Sequence, residues 1–371
     1  MNGFTGSALT RKPRVRVCAD AQPSSENHPE RIAGVTSNTV PWEILRAAGY
    51  APRLLEDEPG PTPYADRFME DVFERRTRVI FDRLCSGAWS ELDLVVISRT
   101  SEEEHKLFLY LREASRLHYS DNIPELCFYN ILHTRSDESF RYGLDRTRQM
   151  IHDLDVPENR LRDAIVESNR ARAAIREIIQ WREAGRLEGS VAIEMIRGFY
   201  RDDRGRFAEN ARAQLQNNRL PHATTRPRIL IKGALLDHTA LHRLLERHGA
   251  YVVAEDDWRG SRAAGDRDIR EDGDAAVAIF EKYFYDAVSP RIQPFHEADA
   301  WFRRQIEHGR VDGVLFYVPE HDVAGWDYPR HLDFLRARAV PSLLVRDSGS
   351  PEPNAELTAR VSTFIQTLER R

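Results

Sequence analysis

Two pairs of residues in this sequence have the side chains that phosphate binding and proton transfer require. Arg259 and Arg262 follow one short apolar run, and His321 and Asp322 follow another. Guanidinium groups bind phosphate through paired, charge-assisted hydrogen bonds, and an imidazole beside a carboxylate can transfer protons near neutral pH. We therefore predict Arg259 and Arg262 as phosphate-binding residues of a cofactor or substrate. His321 and Asp322, together with Glu43, are the predicted catalytic residues.

Familiar catalytic and metal-binding motifs are absent from the sequence. It contains no G-x-G-x-x-G, no Walker lysine, no G-x-S-x-G and no H-E-x-x-H. His238 and His242 lie four residues apart on a predicted helix and could face one metal ion, but no third ligand follows them, so a solvated helix face is favoured. Polar groups at strand ends are also ordinary loop surface. We predict no metal site.

The elements that position these residues are clearest in the stretch 227–262. Ile229–Ile231 predicts a strand that closes at Gly233, Asp237 can cap the following helix, and Tyr251–Ala254 predicts a second strand. A helical crossover of this length indicates a parallel pair of strands. Ligands of parallel sheets bind beyond the carboxyl ends of the strands, which is where Arg259 and Arg262 lie.

An earlier part of the chain has the same pattern. Leu92–Ile97 is too apolar to alternate, which is typical of a strand buried on both faces. Ser101 and Glu104 then match a capping box, in which each side chain bonds the other's amide. Tyr64–Leu84 predicts one long helix. We expect Ser98 and Ser101, at the end of the buried strand, to reach the same crevice and to contribute to cofactor binding.

The predicted fold class is therefore α/β, with two Rossmann-like or flavodoxin-like lobes built on parallel sheets and an intervening helical segment. The predicted divisions are a mobile tail at 1–30, a first lobe at 31–139, a helical segment at 140–225 and a second lobe at 226–371. The helical segment has charged faces, which are most simply solvated. Alternatively, it forms a layer that covers a cleft or supports a partner subunit.

Composition excludes several classes of protein. The 371 residues are 41% apolar and 30% charged, with a formal net charge of -5, which argues against general nucleic-acid affinity. No run approaches the ~20 apolar residues that a membrane-spanning helix needs. The basic start, Arg11–Arg16, is not followed by the apolar segment of a signal peptide. We therefore expect a cytoplasmic protein without membrane contact.

The sequence contains three cysteines, Cys18, Cys85 and Cys127, which are too scattered for a disulfide framework or a C-x-x-C metal motif. Cys85 falls near the end of a predicted helix and Cys127 inside an apolar run. We expect both to be small buried apolar residues rather than reactive thiols.

From Arg31 onward, the sequence resembles the D-component subunits of the 2-hydroxyacyl-CoA dehydratases, which are similar to the benzoyl-CoA reductase subunits. The segments that carry the resemblance are Val40–Leu55, Leu92–Glu113, Ile229–Asp257, Val311–Asp347 and Leu357–Glu369. The resemblance implies a lyase that removes water from a 2-hydroxyacyl-CoA thioester. It also implies that an ATP-hydrolysing activator supplies electrons. These electrons pass through [4Fe-4S] clusters that are held by cysteines of two related subunits.

This sequence departs from the family pattern where cluster ligands are expected. His321 stands in place of one cysteine, and the loops 98–102 and 256–260 contain none. A four-iron cluster needs more thiolate ligands than these positions supply. The resemblance, with these departures, implies that this chain binds no cofactor of its own and that a homologous, cysteine-bearing partner subunit holds the [4Fe-4S] cluster.

Three functions remain open from the sequence. The first is the subunit of a dehydratase-type or benzoyl-CoA reductase-type complex, with an acyl-CoA substrate, a cysteine-bearing partner and an ATP-dependent activator. The second is a non-catalytic acyl-CoA-binding or scaffold protein that kept the fold. The third is redox-free lyase or hydrolase chemistry by His321 with Asp322 or Glu43.

Overall fold

The computed structural model describes most of the chain. The described residues are 31–56, 60–201, 203–220, 225–236, 238–319, 323–346 and 352–369. The tail predicted at 1–30, which includes Cys18, lies outside them, as do the cap predicted at Asp237 and the residues Glu320, His321 and Asp322.

Within the described residues, the first lobe contains a parallel sheet of four strands in the order β2-β1-β3-β4. The strands are β1 (Arg31–Val35), β2 (Tyr50–Leu54), β3 (Leu94–Ser98) and β4 (Glu125–Tyr129), and the helices are α1 (Trp42–Ala47), α2 (Pro63–Phe68), α3 (Arg75–Ser86) and α4 (Glu102–Arg116). The central strand β3 is buried along its whole length, as its apolar run predicts.

The prediction of one long helix over Tyr64–Leu84 is wrong, because a non-helical stretch separates α2 from α3. Side chains of α3 satisfy the open backbone groups at both ends of α2. Arg78 donates to the carbonyl of Glu70 at 3.0 Å, and Asp82 accepts from the amide of Tyr64 at 2.7 Å. These bonds replace the helical bonds that a continuous helix would make.

Only half of the predicted capping box forms. Ser101 is the N-cap of α4 and accepts a bond from the Glu104 amide at 3.2 Å. The carboxylate of Glu104 does not reach back to the helix start; instead the side chain is buried, and the residue is 6% exposed. The prediction for this side chain was wrong, because the interior of the lobe competes for it.

The helical segment between the lobes contains α5 (Asp137–Asp153), α6 (Glu158–Glu183), α7 (Gly189–Arg201) and α8 (Arg204–Asn217). Pro157 precedes α6, and Gly185, which follows α6, has a left-handed conformation at φ 70°. The segment buries apolar side chains together with those of both lobes in one cluster.

The second lobe has the same strand order as the first. Among the described residues its parallel sheet has the order β6-β5-β7-β8. The strands are β5 (Arg228–Gly233), β6 (Tyr251–Glu255), β7 (Gly313–Tyr317) and β8 (Ser342–Val345), and the helices are α9 (Ala240–Arg247), α10 (Ala275–Tyr285), α11 (Phe295–His308), α12 (Tyr328–Arg336) and α13 (Ala355–Glu369). The predicted fold class is confirmed. None of the described helices combines the length and the apolar character that crossing a bilayer would need.

His242 on α9 is buried, so the prediction of a solvated helix face is wrong at this position. The residue is 1% exposed, and its Nε2 lies 2.8 Å from the carboxylate of Glu255, the last residue of β6. Glu255 is itself fully buried and needs donors, which Arg182 of α6 also supplies at 2.8 and 2.9 Å. Because a buried carboxylate needs hydrogen-bond donors, the imidazole of His242 is buried beside Glu255.

Identical strand order gives each sheet one central reversal, between β1 and β3 in the first lobe and between β5 and β7 in the second. Chain connections leave such a point in opposite directions and open a crevice at the carboxyl ends of the strands. At the second reversal Gly233 packs against the backbone of Tyr317, with φ at 129°. A side chain at Gly233 would overlap the Tyr317 carbonyl.

Candidate functional site

A crevice of about 530 Å³ lies at the strand ends of both lobes. Its lining includes residues that follow β1, β3, β5, β6 and β7, together with side chains from α3, α11 and α12. The polar and charged residues of this lining include Ser37, Arg76, Thr100, Ser101, Glu104, Lys232, Asp256, Asp257, Arg262, Asp299 and His331. The strand ends of the two sheets therefore converge on one space, as the sequence pattern predicts.

The wall from the first lobe carries a cluster of hydroxyl groups, hereafter the hydroxyl cluster, of Ser37, Thr39, Ser98 and Thr100. The first two residues follow β1 and the last two end or follow β3, so the reversal between these strands brings them together. Ser37 Oγ lies 2.9 Å from Ser98 Oγ and 2.6 Å from Thr100 Oγ1, and Thr39 Oγ1 lies 2.6 Å from Ser98 Oγ. All four residues are buried, and Ser37 and Thr100 line the crevice.

Glu104 lies beside the hydroxyl cluster and also lines the crevice. Neither of its carboxylate oxygens has a well-formed hydrogen bond within the described residues. Burial raises its pKa, and this effect outweighs the nearby charge of Arg76 and the hydroxyls of Thr100, Thr36 and Ser37, which lower it. This wall therefore contains a carboxyl group held toward its neutral form.

The wall from the second lobe is charged. Asp256, after β6, contacts the ammonium of Lys232 at the end of β5 and lies 3.1 Å from the guanidinium of Arg262. Burial opposes ionisation of Asp256, but the two cations together lower its pKa. Lys232 and Arg262 are the two cations of this wall, and the carboxylates of Asp257 and Asp299 line it as well. The two cations are the groups that can contact an anionic ligand.

His331 and Asp299 form a second polar pair on this wall. Nε2 of His331 lies 2.8 Å from a carboxylate oxygen of Asp299, and the imidazole packs against the rings of Phe302 and Phe316. Burial raises the pKa of Asp299, but the bond to His331 and the nearby cations lower it by more than burial raises it. The net effect is a lowered pKa, so the carboxylate stays ionised. A carboxylate that orients an imidazole is the arrangement that general acid–base catalysis uses.

The sequence-predicted binding residues divide between the crevice and its surroundings. Ser101 and Arg262 line the crevice, and Ser98 lies behind Ser37 in the hydroxyl cluster. Arg259 is 3% exposed and bonds Glu56, which follows β2 in the first lobe. Arg259 therefore joins the two lobes and is not among the lining residues. The predicted catalytic residues His321 and Asp322 lie outside the described residues.

Glu43, the third predicted catalytic residue, is fully buried in α1 and is not among the residues that line the crevice. Its carboxylate lies 2.5 Å from Arg172 of α6 and 3.3 Å from Arg204 of α8, and accepts a bond from Tyr283 of α10 at 2.7 Å. Burial opposes ionisation, but the charges of the two arginines outweigh it and lower the pKa to about 2. The geometry gives Glu43 the role of an ionised link between elements.

Residues 38–368 match the sequence model of one protein family, which is described as 2-hydroxyglutaryl-CoA dehydratase, D-component. The chain belongs to this D-component family. No curated protein matches the sequence. The family description names one component of a dehydratase, which implies further components in the same complex.

Cys85 and Cys127 are the cysteines in the described part of this D-component chain, and both lie outside the crevice lining. Cys85 is 1% exposed in α3, where burial raises its pKa to about 12, and Cys127 is 2% exposed in β4. Neither is among the residues that line the crevice. A four-iron cluster takes thiolate ligands, and the described lining residues of this chain offer hydroxyl, carboxylate, imidazole and cationic groups instead.

Sequence reasoning missed several lining residues of the D-component crevice, namely Ser37, Thr100, Lys232, Asp299 and His331. It also missed Thr39, which belongs to the hydroxyl cluster behind the lining. Lys232 precedes Gly233 at a predicted strand end, so its position was a usable signal. Asp299 and His331 lie on helices far apart in sequence, and nothing in the local pattern brings them together. Their pairing depends on how α11 and α12 pack.

Proposed function

We propose that this chain is a subunit of a 2-hydroxyacyl-CoA dehydratase-type or benzoyl-CoA reductase-type complex. It shapes an acyl-CoA crevice, while a homologous, cysteine-bearing subunit holds the [4Fe-4S] cluster and an ATP-dependent activator supplies electrons. We expect the complex to be cytoplasmic, on the basis of the sequence alone. The observation that carries the proposal is the crevice between the strand ends of two like lobes, in a chain that matches the D-component family over residues 38–368.

The size and chemistry of the crevice support an acyl-CoA ligand. Its volume of about 530 Å³ falls in the range of roughly 300–1,000 Å³ usual for small-molecule sites. Lys232 and Arg262 provide positive charge for phosphates, and Arg262 also lies over the ring of Trp301 at 5.7 Å. The hydroxyl cluster and Glu104 form a polar part of the first-lobe wall, beside Arg76, that suits the oxygen atoms of an acyl thioester.

The absence of cysteine from the described lining residues supports the assignment of the cluster to a partner. The test is anaerobic co-expression of this chain with a cysteine-bearing homologue, followed by iron and sulfide analysis. We expect a stable heteromer whose interface buries at least ~1,000 Å², with iron that is lost when the cysteines of the partner are replaced. Stoichiometric iron and sulfide on this chain alone would contradict the proposal, and so would a strict monomer that captures no homologue.

The same observation supports an alternative, a non-catalytic acyl-CoA-binding or scaffold protein that kept the fold. The two functions differ in whether the chain contributes proton-transfer groups. Replacement of His331 by Ala in the purified heteromer separates them, because turnover falls if the chain is catalytic. Turnover stays unchanged if the chain only binds or supports its partner, provided that the variant heteromer is intact.

A further inference from the structure

The buried carboxyl group of Glu104 is the least satisfied acidic group in the wall of the crevice. It is 6% exposed, and neither oxygen has a well-formed hydrogen bond within the described residues. The charged group that faces it, Arg76 of α3, directs one terminal nitrogen to the carbonyls of Thr36, at 2.5 Å, and Leu55, at 3.3 Å. Arg76 therefore donates hydrogen bonds to backbone carbonyls and forms no ion pair with Glu104, although its charge lowers the pKa of that group.

An ionised carboxylate in this position would have only neutral hydroxyl groups as donors and no ion-pair partner. Burying an unpaired charge costs far more than burying a neutral polar group, and such a group takes up a proton instead. A protonated carboxyl group needs only one acceptor for its proton. The hydroxyl of Thr36, which is buried and also without a partner, and those of Ser37 and Thr100 are close enough to serve. The geometry therefore favours the neutral acid.

The hydroxyl cluster has spare capacity to accept a proton. Each hydroxyl carries one proton and two lone pairs, and the oxygens of Ser37, Thr39, Ser98 and Thr100 lie within hydrogen-bonding distance of one another in all six pairings. The four hydroxyl protons can form at most four of these six hydrogen bonds at one time. A proton from Glu104 can therefore enter the cluster while another leaves it.

We propose that Glu104 is a proton-donor site of the crevice and that the hydroxyls of Thr100 and Ser37 connect it to the oxygen of a bound ligand. In the transfer, the O–H bond of Glu104 breaks and its proton passes to Thr100 Oγ1 or Ser37 Oγ. The hydroxyl proton of Ser37 or Thr100 passes to an acceptor oxygen of the ligand, such as a carbonyl or a leaving hydroxyl. Glu104 becomes a carboxylate and regains its proton from solvent by the reverse path.

Infrared spectroscopy of the whole chain at neutral pH tests the first part of this proposal. We expect the carbonyl stretch of one protonated carboxylic acid, which shifts when the protein is labelled with ¹³C-glutamate and disappears in Glu104→Gln. The labelling assigns the band to glutamate without any substitution, so the test survives if the variant folds poorly. Glu102→Gln is the matched control, because Glu102 lies in the same first turn of α4 but is exposed. A spectrum without a protonated glutamate band overturns the proposal.

The link to the crevice has its own test. Thr100→Val and Ser37→Ala remove hydroxyls beside Glu104, so we expect each to shift the frequency of the Glu104 band. Thr147→Val removes an equally buried hydroxyl that bonds Tyr129 and should leave the band in place. An unshifted band in both cluster variants overturns the proposed connection.

Addition of butyryl-CoA provides a ligand test, and only this test depends on the proposed acyl-CoA function. We expect the ligand to shift the Glu104 band at concentrations where calorimetry shows binding. Binding without a shift means that the proton site does not serve the ligand, which overturns the proposal. If butyryl-CoA does not bind at all, the proposed function fails, while the band in the ligand-free chain still decides whether Glu104 holds a proton.

Discussion

Arg172 and Arg182 lie on the same helix, α6, and form buried ion pairs with opposite lobes. Arg172 bonds Glu43 of the first lobe, and Arg182 bonds Glu255 of the second. At a rise of 1.5 Å per residue the two arginines are ~15 Å apart along the helix axis. The helix therefore fixes the relative positions of the two lobes, and with them the width of the crevice.

Loss of either arginine should destabilise the protein strongly. Arg182→Met leaves Glu255 with His242 but without its main cation, and the removal of one partner from a buried pair costs about 3–5 kcal/mol. Arg176→Met provides the control on the same helix, because Arg176 forms a partly exposed pair with Asp268 and should cost at most about 1 kcal/mol. Denaturant unfolding measures both. Equal effects would show that burial of the pair contributes nothing.

Acid should destabilise the protein between about pH 5 and pH 2. The arginines lower the pKa of both Glu43 and Glu255 from 4.5 to about 2. A carboxyl group whose pKa is lower in the folded state stabilises that state above its unfolded pKa, and the effect is lost as pH falls through the folded pKa. Each group should contribute up to about 3 kcal/mol at neutral pH. Unfolding free energies measured across this range should fall, and a flat profile would contradict the prediction.

Gly233→Ala should disturb the crevice more than other glycine substitutions at positive φ. The new methyl group would overlap the carbonyl of Tyr317 on the neighbouring strand, and the backbone angle of 129° is unfavourable for alanine. Gly273→Ala is the control, because Gly273 has φ 74° and only a distant arginine side chain near it. We expect about 1 kcal/mol of destabilisation from the control and at least twice that from Gly233→Ala. Thermal unfolding of the two variants compares them.

Arg262 and Arg259 should differ in their effect on acyl-CoA binding. Arg262 lines the crevice, so Arg262→Ala should weaken butyryl-CoA binding by about 1–2 kcal/mol, or roughly five- to thirtyfold. Arg259 bonds Glu56 away from the lining, so Arg259→Ala should lower stability and leave affinity nearly intact. Calorimetric titration at fixed ionic strength measures both affinities. Equal loss of affinity in the two variants would contradict this division.

The two candidate imidazoles should be separable in the reconstituted heteromer. His331 is oriented by Asp299 in the crevice wall, whereas His321 is predicted from sequence alone. We expect His331→Ala to lower kcat and leave butyryl-CoA affinity within about twofold, because a proton-transfer group acts mainly in the transition state. His321→Ala, measured in parallel, tests the sequence-based prediction. If only His321→Ala lowers kcat, the catalytic imidazole lies in the loop after β7.

The elements of the fold were largely predictable because their signals are local. Apolar runs such as Leu92–Ile97 and Ile229–Ile231, with short helical crossovers, define parallel sheets whatever the rest of the chain does. The convergence of strand ends on a crevice follows from the same rule. Side-chain pairing was less predictable. Glu104 satisfies a local capping pattern, but a burial that no short pattern encodes decides where its carboxyl group lies.

Long-range partners explain the remaining differences. Glu43 and Arg172 are far apart in sequence, and the charge of Glu43 is explained only when α6 packs against α1. The lack of a third metal ligand near His238 and His242 favours a solvated helix face, but His242 is buried against the carboxylate of Glu255 at the end of β6. In each case, the need of a buried charge for a partner overrides the local pattern.

The repeated strand order of the two sheets also bears on how the crevice can evolve. The strand ends of the first lobe present a cluster of hydroxyl groups to the crevice, and those of the second lobe present paired charges. Because each wall belongs to a separate sheet, a substitution in one wall alters the contacts to one end of a ligand. The sheet that supports the contacts to the other end stays intact. If the crevice binds acyl-CoA as proposed, substitutions in one lobe can change the acyl specificity while the other lobe keeps its contacts to the part that all substrates share.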